Sequence, residues 1–229
     1  MYNTSQQHTA ILFFSKTSRA EAERKKLAVA KRQTKAIAQV FINNTRQILR
    51  GLDLPVFTIS EQLQRGDSFG ERLHNAFQDI FDKGFTNVIA VGNDCLTLTK
   101  NHIQQAIDAL ETDPSVLGPS TDGGVYLLGF QKEHFNTYGL KNIAWQTNNV
   151  FNELAQNTHN QCVTLDILSD IDTANDLIKA IKDISTNIKT LLIALLRDKV
   201  LTLYTTYLNW TPQYLLSSKS LRAPPYSVA

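Results

Sequence analysis

Hydrophobic positions along the chain fall into two alternating patterns. Short apolar runs rich in strand formers occur at Ala10–Phe14, Val56–Ile59, Asn87–Val91, Val116–Leu117, Val125–Phe130 and Val163–Ile167. Each reads as a strand, and the unbroken runs Ala10–Phe14 and Asn87–Val91 read as strands buried on both faces. Between them, apolar residues recur at helical spacing. Leu27, Ala30, Ile37, Val40 and Phe41 form one face, with a break expected near Gln33 or Thr34. Leu73, Ala76, Phe77 and Ile80 form another, in a helix from Phe69 to Lys83 that Gly84 stops. Ile103, Ala106, Ile107 and Leu110 mark a helix from about Lys100 to Leu110, and Val150, Phe151 and Leu154 one that Thr147 could cap. Ser18-x-x-Glu21 has the spacing of a capping box, and Thr173-Ala-Asn-Asp176 caps a helix reaching about Ile184.

Strands alternating with helices predict an α/β fold, a largely parallel sheet with helices on both faces. Ser185-Thr-Asn187 is the expected boundary, giving a domain over 1–185 and a C-terminal helical extension and tail over 186–229. Leu192, Leu196, Val200, Leu203 and Tyr207 make one apolar stripe on that extension. The stripe is expected either to pack back on the domain or to form a homodimer contact. The end carries Pro224-Pro225 and reads as extended. The run Leu191–Leu196, flanked by Lys189 and Arg197, falls far short of the roughly 20 apolar residues of a membrane span. The N-terminus lacks the basic segment of a signal peptide. Cys95 and Cys162 have no zinc-site spacing. These features predict a soluble, cytoplasmic protein with no membrane partner.

The chain has 229 residues, 42% hydrophobic and 19% charged, which excludes a disordered chain. Its net charge of +2 hides a segregation. From Lys16 to Arg50 ten basic residues face two acidic ones, so this segment is +8 and the remainder −6. Lys16, Arg19 and Lys25 lie nearest the end of the first strand and are the expected phosphate donors; the later charges read as solvated helix. Nucleic acid is not the expected partner, because the segment lacks interleaved aromatics and the rest of the chain would repel a phosphate backbone.

Ligands of open α/β sheets bind beyond the carboxyl ends of the strands. Three predicted strands are followed there by acidic loops: Gly92-Asn93-Asp94-Cys95, Gly118-Pro-Ser-Thr-Asp122-Gly123-Gly124, and Asp170-Ile-Asp172-Thr173. Hard oxygen ligands on one rim suit Mg²⁺ or Mn²⁺. Each loop also has a plainer reading. An aspartate after a strand is an ordinary turn former, Asp170 reads as a turn residue, and Asp176 complements a helix dipole. The Gly-rich phosphate loops, the GxSxG nucleophile turn and paired metal-binding histidines are all absent from the sequence.

Four segments in order carry a resemblance: Gln64-x-Gly66-x-x-Phe69-Gly70-Glu71-Arg72-Leu73; Gly92-Asn93-Asp94-Cys95; Gly118-Pro119-x-x-Asp122-Gly123-Gly124-x-Tyr126-Leu127-Leu128-Gly129; and Asp170-Ile171-Asp172-Thr173. Trp145 and Thr147 fit between the last two. Over residues 10–184 the chain resembles the bacterial radical-SAM/selenodomain-associated transferase family, a glycosyltransferase-like domain of unknown function. The resemblance implies a GT-A fold, that of nucleotide-diphospho-sugar transferases. It implies Asp94 and Asp172 as ligands of a divalent metal, Asp122, Gly123 and Gly124 as the family's DGG segment, and Glu71 and Arg72 as a turn lining the nucleotide or acceptor pocket. Two positions depart from it. Ser15-Lys-Thr-Ser-Arg-Ala20 has no glycine where family members commonly carry a G-x-x-K-T-R-L-like loop, and Leu96 stands where a proline usually follows the cysteine.

The resulting expectation is a metal-dependent glycosyltransferase using a nucleotide-diphospho-sugar and a small-molecule acceptor. Asp122 would orient the acceptor hydroxyl or take its proton, and Trp145 would pack on a sugar or base. The alternatives are nucleotidyl transfer from an NTP at the same site and a degenerate nucleotide-binding subunit.

Overall fold

The computed structural model describes residues 8–159 and 161–196. Val200, Leu203, Tyr207 and the Pro224-Pro225 end lie outside the described residues. Six strands, β1 (Thr9–Phe14), β2 (Val56–Ile59), β3 (Asn87–Val91), β4 (Ser115–Pro119), β5 (Val125–Gln131) and β6 (Val163–Thr164), form one sheet in the order β2-β1-β3-β5-β4-β6. The helices are α1 (Ser18–Arg24), α2 (Lys31–Arg50), α3 (Phe69–Phe81), α4 (Lys100–Ala109), α5 (Lys132–Phe135), α6 (Val150–Asn157) and α7 (Ala174–Ala180). A further helix runs over 186–196.

Strand alternation distributes the core over both faces. Ala10 and Leu12 point toward Leu73, Phe77 and Ile80 of α3 and Val150 and Leu154 of α6. Ile11 and Phe13 point the other way, toward Ile42 and Leu49 of α2 and Ile103, Ala106 and Ile107 of α4. Each such large side chain, fully buried, contributes about 1.5–3 kcal/mol. The fold is the expected α/β sandwich. Its one antiparallel strand is β5, which runs against both β3 and β4, while β1 pairs in parallel with β2 and β3, and β4 with β6. The tight turn between Pro119 and Val125 imposes that reversal, because so short a link cannot cross over to a parallel neighbour. The strand expected at Val163–Ile167 pairs only over Val163–Thr164.

The N-terminal helical region differs from its expected form in a way that matters for the site. Thr17, not Ser18, is the N-cap of α1, its side chain accepting from Ala20 N. Glu21 is therefore free of capping and lies buried against Arg24. The helix ends at Arg24, and Lys25 is extended, with φ −86° and ψ 148°. The break thus comes well before Gln33 and Thr34, and α2 starts afresh at Lys31. Likewise Thr147 does not cap α6; Asn149 stands at its N-terminus.

A third buried cluster joins Leu27, Ile37, Phe41, Leu96, Ile171, Leu177 and Leu192. Leu192 is fully buried. The start of the C-terminal extension therefore packs back on the domain. Among the described residues no helix is long and apolar enough to cross a membrane.

Candidate functional site

Backbone hydrogen bonds tie the loops beyond the strand ends to one another. Ile171 N donates to Asp94 O at 3.1 Å, Thr121 N to Leu168 O at 2.9 Å, and Ala174 N to Lys26 O at 3.1 Å. Lys26 also bridges Thr173, and Ser120 bridges Leu168, in parallel register. These links bring Lys25, Asp94, Asp122, Asp170 and Asp172 to one rim, although long stretches of chain separate them.

Beneath the rim lies a cavity of about 720 Å³. Lys16, Glu21 and Arg24 line it together with Asp94, Asp122, Asp170 and Asp172. Phe14, Phe69, Leu73 and Trp145 supply an apolar wall. Phe69 packs on Phe14 edge-on at 5.8 Å and on Trp145 at 4.9 Å. Trp145 Nε1 donates to Leu140 O at 2.8 Å, so its indole offers a face rather than a donor.

The cluster at the centre is ionic. Lys25 Nζ, with a side chain only 1% exposed, lies 2.5 Å from Asp94 Oδ1 and 3.2 Å from Asp172 Oδ1. It also donates to Ile171 O at 2.7 Å. Arg24 reaches Glu21 Oε2, Asp94 Oδ2 and Asp172 Oδ1, each at 3.3 Å. Lys25 was expected to hold phosphate; instead it is buried against two carboxylates. Its hydrogen bonds go to Asp94 Oδ1 and Ile171 O, and Asp172 Oδ1 is held by charge alone.

Asp170, expected to be only a turn residue, is a buried member of the rim that lines the cavity. Its Oδ1 is enclosed and has no hydrogen-bond partner. Burial, then the neighbouring charges of Asp94 and Asp122, push its carboxyl up to about 7. Burial and the Asp94 charge likewise raise Glu21. Asp122 is exposed, and its Oδ1 accepts from Ser120 Oγ at 2.6 Å and Gly124 N at 2.9 Å, holding the turn.

The remaining expected site residues divide. Gly124 lines the cavity, whereas Gly123 is required by the turn: its φ is +86°, and an added Cβ would lie 2.0 Å from Asn148 O. Arg19 is exposed on α1 and does not line the cavity. Glu71 and Arg72 do not line it either. Glu71 closes the capping box of α3 with Ser68, and Arg72 donates to Gly66 O and Asp67 O. Their G-E-R turn is a helix start, which explains the residue types without a ligand. Gln64 and Arg24, which the sequence did not single out as site residues, do line the cavity. The signal for Arg24 was available in its position within the basic segment, but the helix end that aims it was not.

The fit to a divalent ion follows from these contacts. Asp94 and Asp172, the pair expected to chelate it, already share Lys25 Nζ, and Arg24 covers their outer side. Among the described residues no three His, Cys, Asp or Glu side chains gather as a ready ligand set. The two aspartates therefore do not fit as a chelating pair around a resident metal.

The family described as uncharacterized protein conserved in bacteria (DUF2064) matches residues 4–147. The chain belongs to this family. The match does not extend to the radical-SAM association that the sequence resemblance suggested. Among solved structures, a candidate nucleotide-diphospho-sugar transferase from Desulfovibrio desulfuricans G20 is 23% identical, with a TM-score of 0.73, covering 83% of this chain and 97% of that one. This likeness establishes the fold. A 4-diphosphocytidyl-2C-methyl-D-erythritol synthase from Anaerococcus prevotii DSM 20548 is 10% identical, with a TM-score of 0.49, covering 78% of this chain and 97% of that one. A Mycobacterium tuberculosis H37Rv protein in complex with manganese is 14% identical, with a TM-score of 0.42, covering 75% of this chain and 96% of that one. At these scores the last two carry no argument for this chain. No curated protein matches the chain in sequence.

Proposed function

We propose that this chain is a transferase that takes a nucleotide-diphospho-sugar in the rim cavity and passes the sugar to a small-molecule acceptor. The observation that carries this reading is the lining of the cavity. Cationic Lys16 and Arg24, carboxylates and an aromatic wall surround one space of about 720 Å³ at the strand ends. That volume lies in the range of small-molecule and cofactor sites. The diphosphate would face Lys16 and Arg24, and a planar or apolar ring of the substrate would face Phe14, Phe69 and Trp145.

In the transfer step the acceptor hydroxyl oxygen forms a bond to the anomeric carbon. The bond from that carbon to the diphosphate oxygen breaks, and its electron pair leaves with the nucleoside diphosphate. The hydroxyl proton passes to Asp170, whose carboxyl is raised to about 7 and so suits a base working near neutrality. Arg24 stabilises the charge developing on the leaving phosphate.

Calorimetric titration with UDP-, GDP- and CDP-sugars and with free NTPs tests the reading. Binding of a nucleotide sugar, weakened tenfold or more by Arg24→Ala, followed by transfer of labelled sugar, is the expected result. Pyrophosphate release from an NTP and a sugar phosphate would replace glycosyl by nucleotidyl transfer. Absence of binding by every nucleotide overturns both.

A further inference from the structure

We infer that Lys25 takes the place of a divalent cation between Asp94 and Asp172. Three observations support this. The first is coordination. Lys25 Nζ donates to Asp94 Oδ1 at 2.5 Å and to Ile171 O at 2.7 Å, and ion-pairs with Asp172 Oδ1 at 3.2 Å. The second is charge. Lys25 and Arg24 together bring two fixed positive charges to the two aspartates, the charge that one divalent ion would bring.

The third is the path of the chain. Lys25 does not reach the aspartates from a free surface. Helix α1 stops at Arg24, Lys25 is extended, and Lys26 is bridged to Thr173 immediately after Asp172. Phe41 also packs under the amine, its ring centre 5.9 Å from Nζ. A metal entering between the carboxylates would have to displace a buried ammonium, which is costly in a desolvated position. Arg24 differs: its side chain is 40% exposed and faces the cavity. The structure thus separates an inner cation that holds the two loops together from an outer one that faces the cavity, where a ligand's phosphate would meet it. That last step rests on the function proposed above; the exchange of metal for lysine does not.

The test uses Mn²⁺ alone, without nucleotide, so failure of the transferase reading cannot affect it. Free Mn²⁺ is followed by electron paramagnetic resonance as it is titrated into the full chain and into D94N, D172N, K25M and K25M/D94N. In the wild-type chain, D94N and D172N are expected to change Mn²⁺ binding by less than twofold. K25M is expected to bind Mn²⁺ at least tenfold more tightly than wild type, and adding D94N should abolish the gain. A wild-type site that either aspartate variant weakens tenfold or more overturns the inference, as does a folded K25M that gains nothing. If K25M does not fold, comparing wild type with D94N and D172N decides it alone.

Discussion

Lys25 Nζ lies 2.5 Å from Asp94 Oδ1, a contact that spans 69 positions of chain. It binds the loop after α1 to the loop after β3, and through Ile171 O to the loop that carries Asp172. Lys25→Met would leave Asp94 and Asp172 with only the more exposed Arg24 as a shared cation. Loss of one member of a buried pair costs more than the pair is worth. Urea denaturation in metal-free buffer should show a loss of about 3 kcal/mol. The double variant Lys25→Met/Asp94→Asn should recover part of it. Additive losses would mean that the two residues are not coupled.

Asp170 gives stability a pH dependence of known sign. Its carboxyl is raised from the ordinary 3.8 to about 7 in the folded chain, chiefly by burial. Between those values the native state holds a proton that the unfolded state has lost, so stability falls as pH rises through this window. Asp170→Asn removes the effect. The variant should match wild type near pH 4 and exceed it above pH 7. A ceiling of about 4 kcal/mol follows from the shift, reduced by the partial exposure of the side chain. Thermal melts at pH 4.5, 6 and 8 measure the difference, and a gap that does not widen with pH contradicts the assignment.

Gly123 tests whether the DGG segment is a ligand loop or a turn. Its φ of +86° and the 2.0 Å approach of an added Cβ to Asn148 O leave no room for a side chain. Gly123→Ala should destabilise the ligand-free chain by about 1–3 kcal/mol. Unchanged stability in the absence of any ligand would show that the turn tolerates the side chain.

Leu192 places the start of the C-terminal extension in the fold. It is fully buried among Leu27, Phe41, Ile171 and Leu177, under the loop that carries Asp172. Leu192→Ala should cost about 2–5 kcal/mol, seen as a lower urea midpoint with the slope unchanged. Stability equal to wild type would mean that the helix over 186–196 is only laid against the surface.

Local patterns determined most of the architecture. Asn87–Val91 is a strand over the residues that the apolar run predicts, and Thr173 caps α7 with Asp176 as the spacing implies. Those features depend on neighbours within a turn or two, which the sequence contains. The rim aspartates were legible too, because loops after strands of such a sheet converge on one side. What each acid does there was not legible. Asp170 and Asp172 are two residues apart, yet burial raises the carboxyl of the first while the second is ion-paired to Lys25 and Arg24. Glu71 and Arg72 have site-like residue types but serve a helix start. The sequence by itself determined the strands, the helices and the acidic loops. Only the tertiary structure decided that an extended residue after α1 would place an amine between two of those acids. Charge pairing in a desolvated site depends on distances between distant segments, and no local pattern encodes those distances.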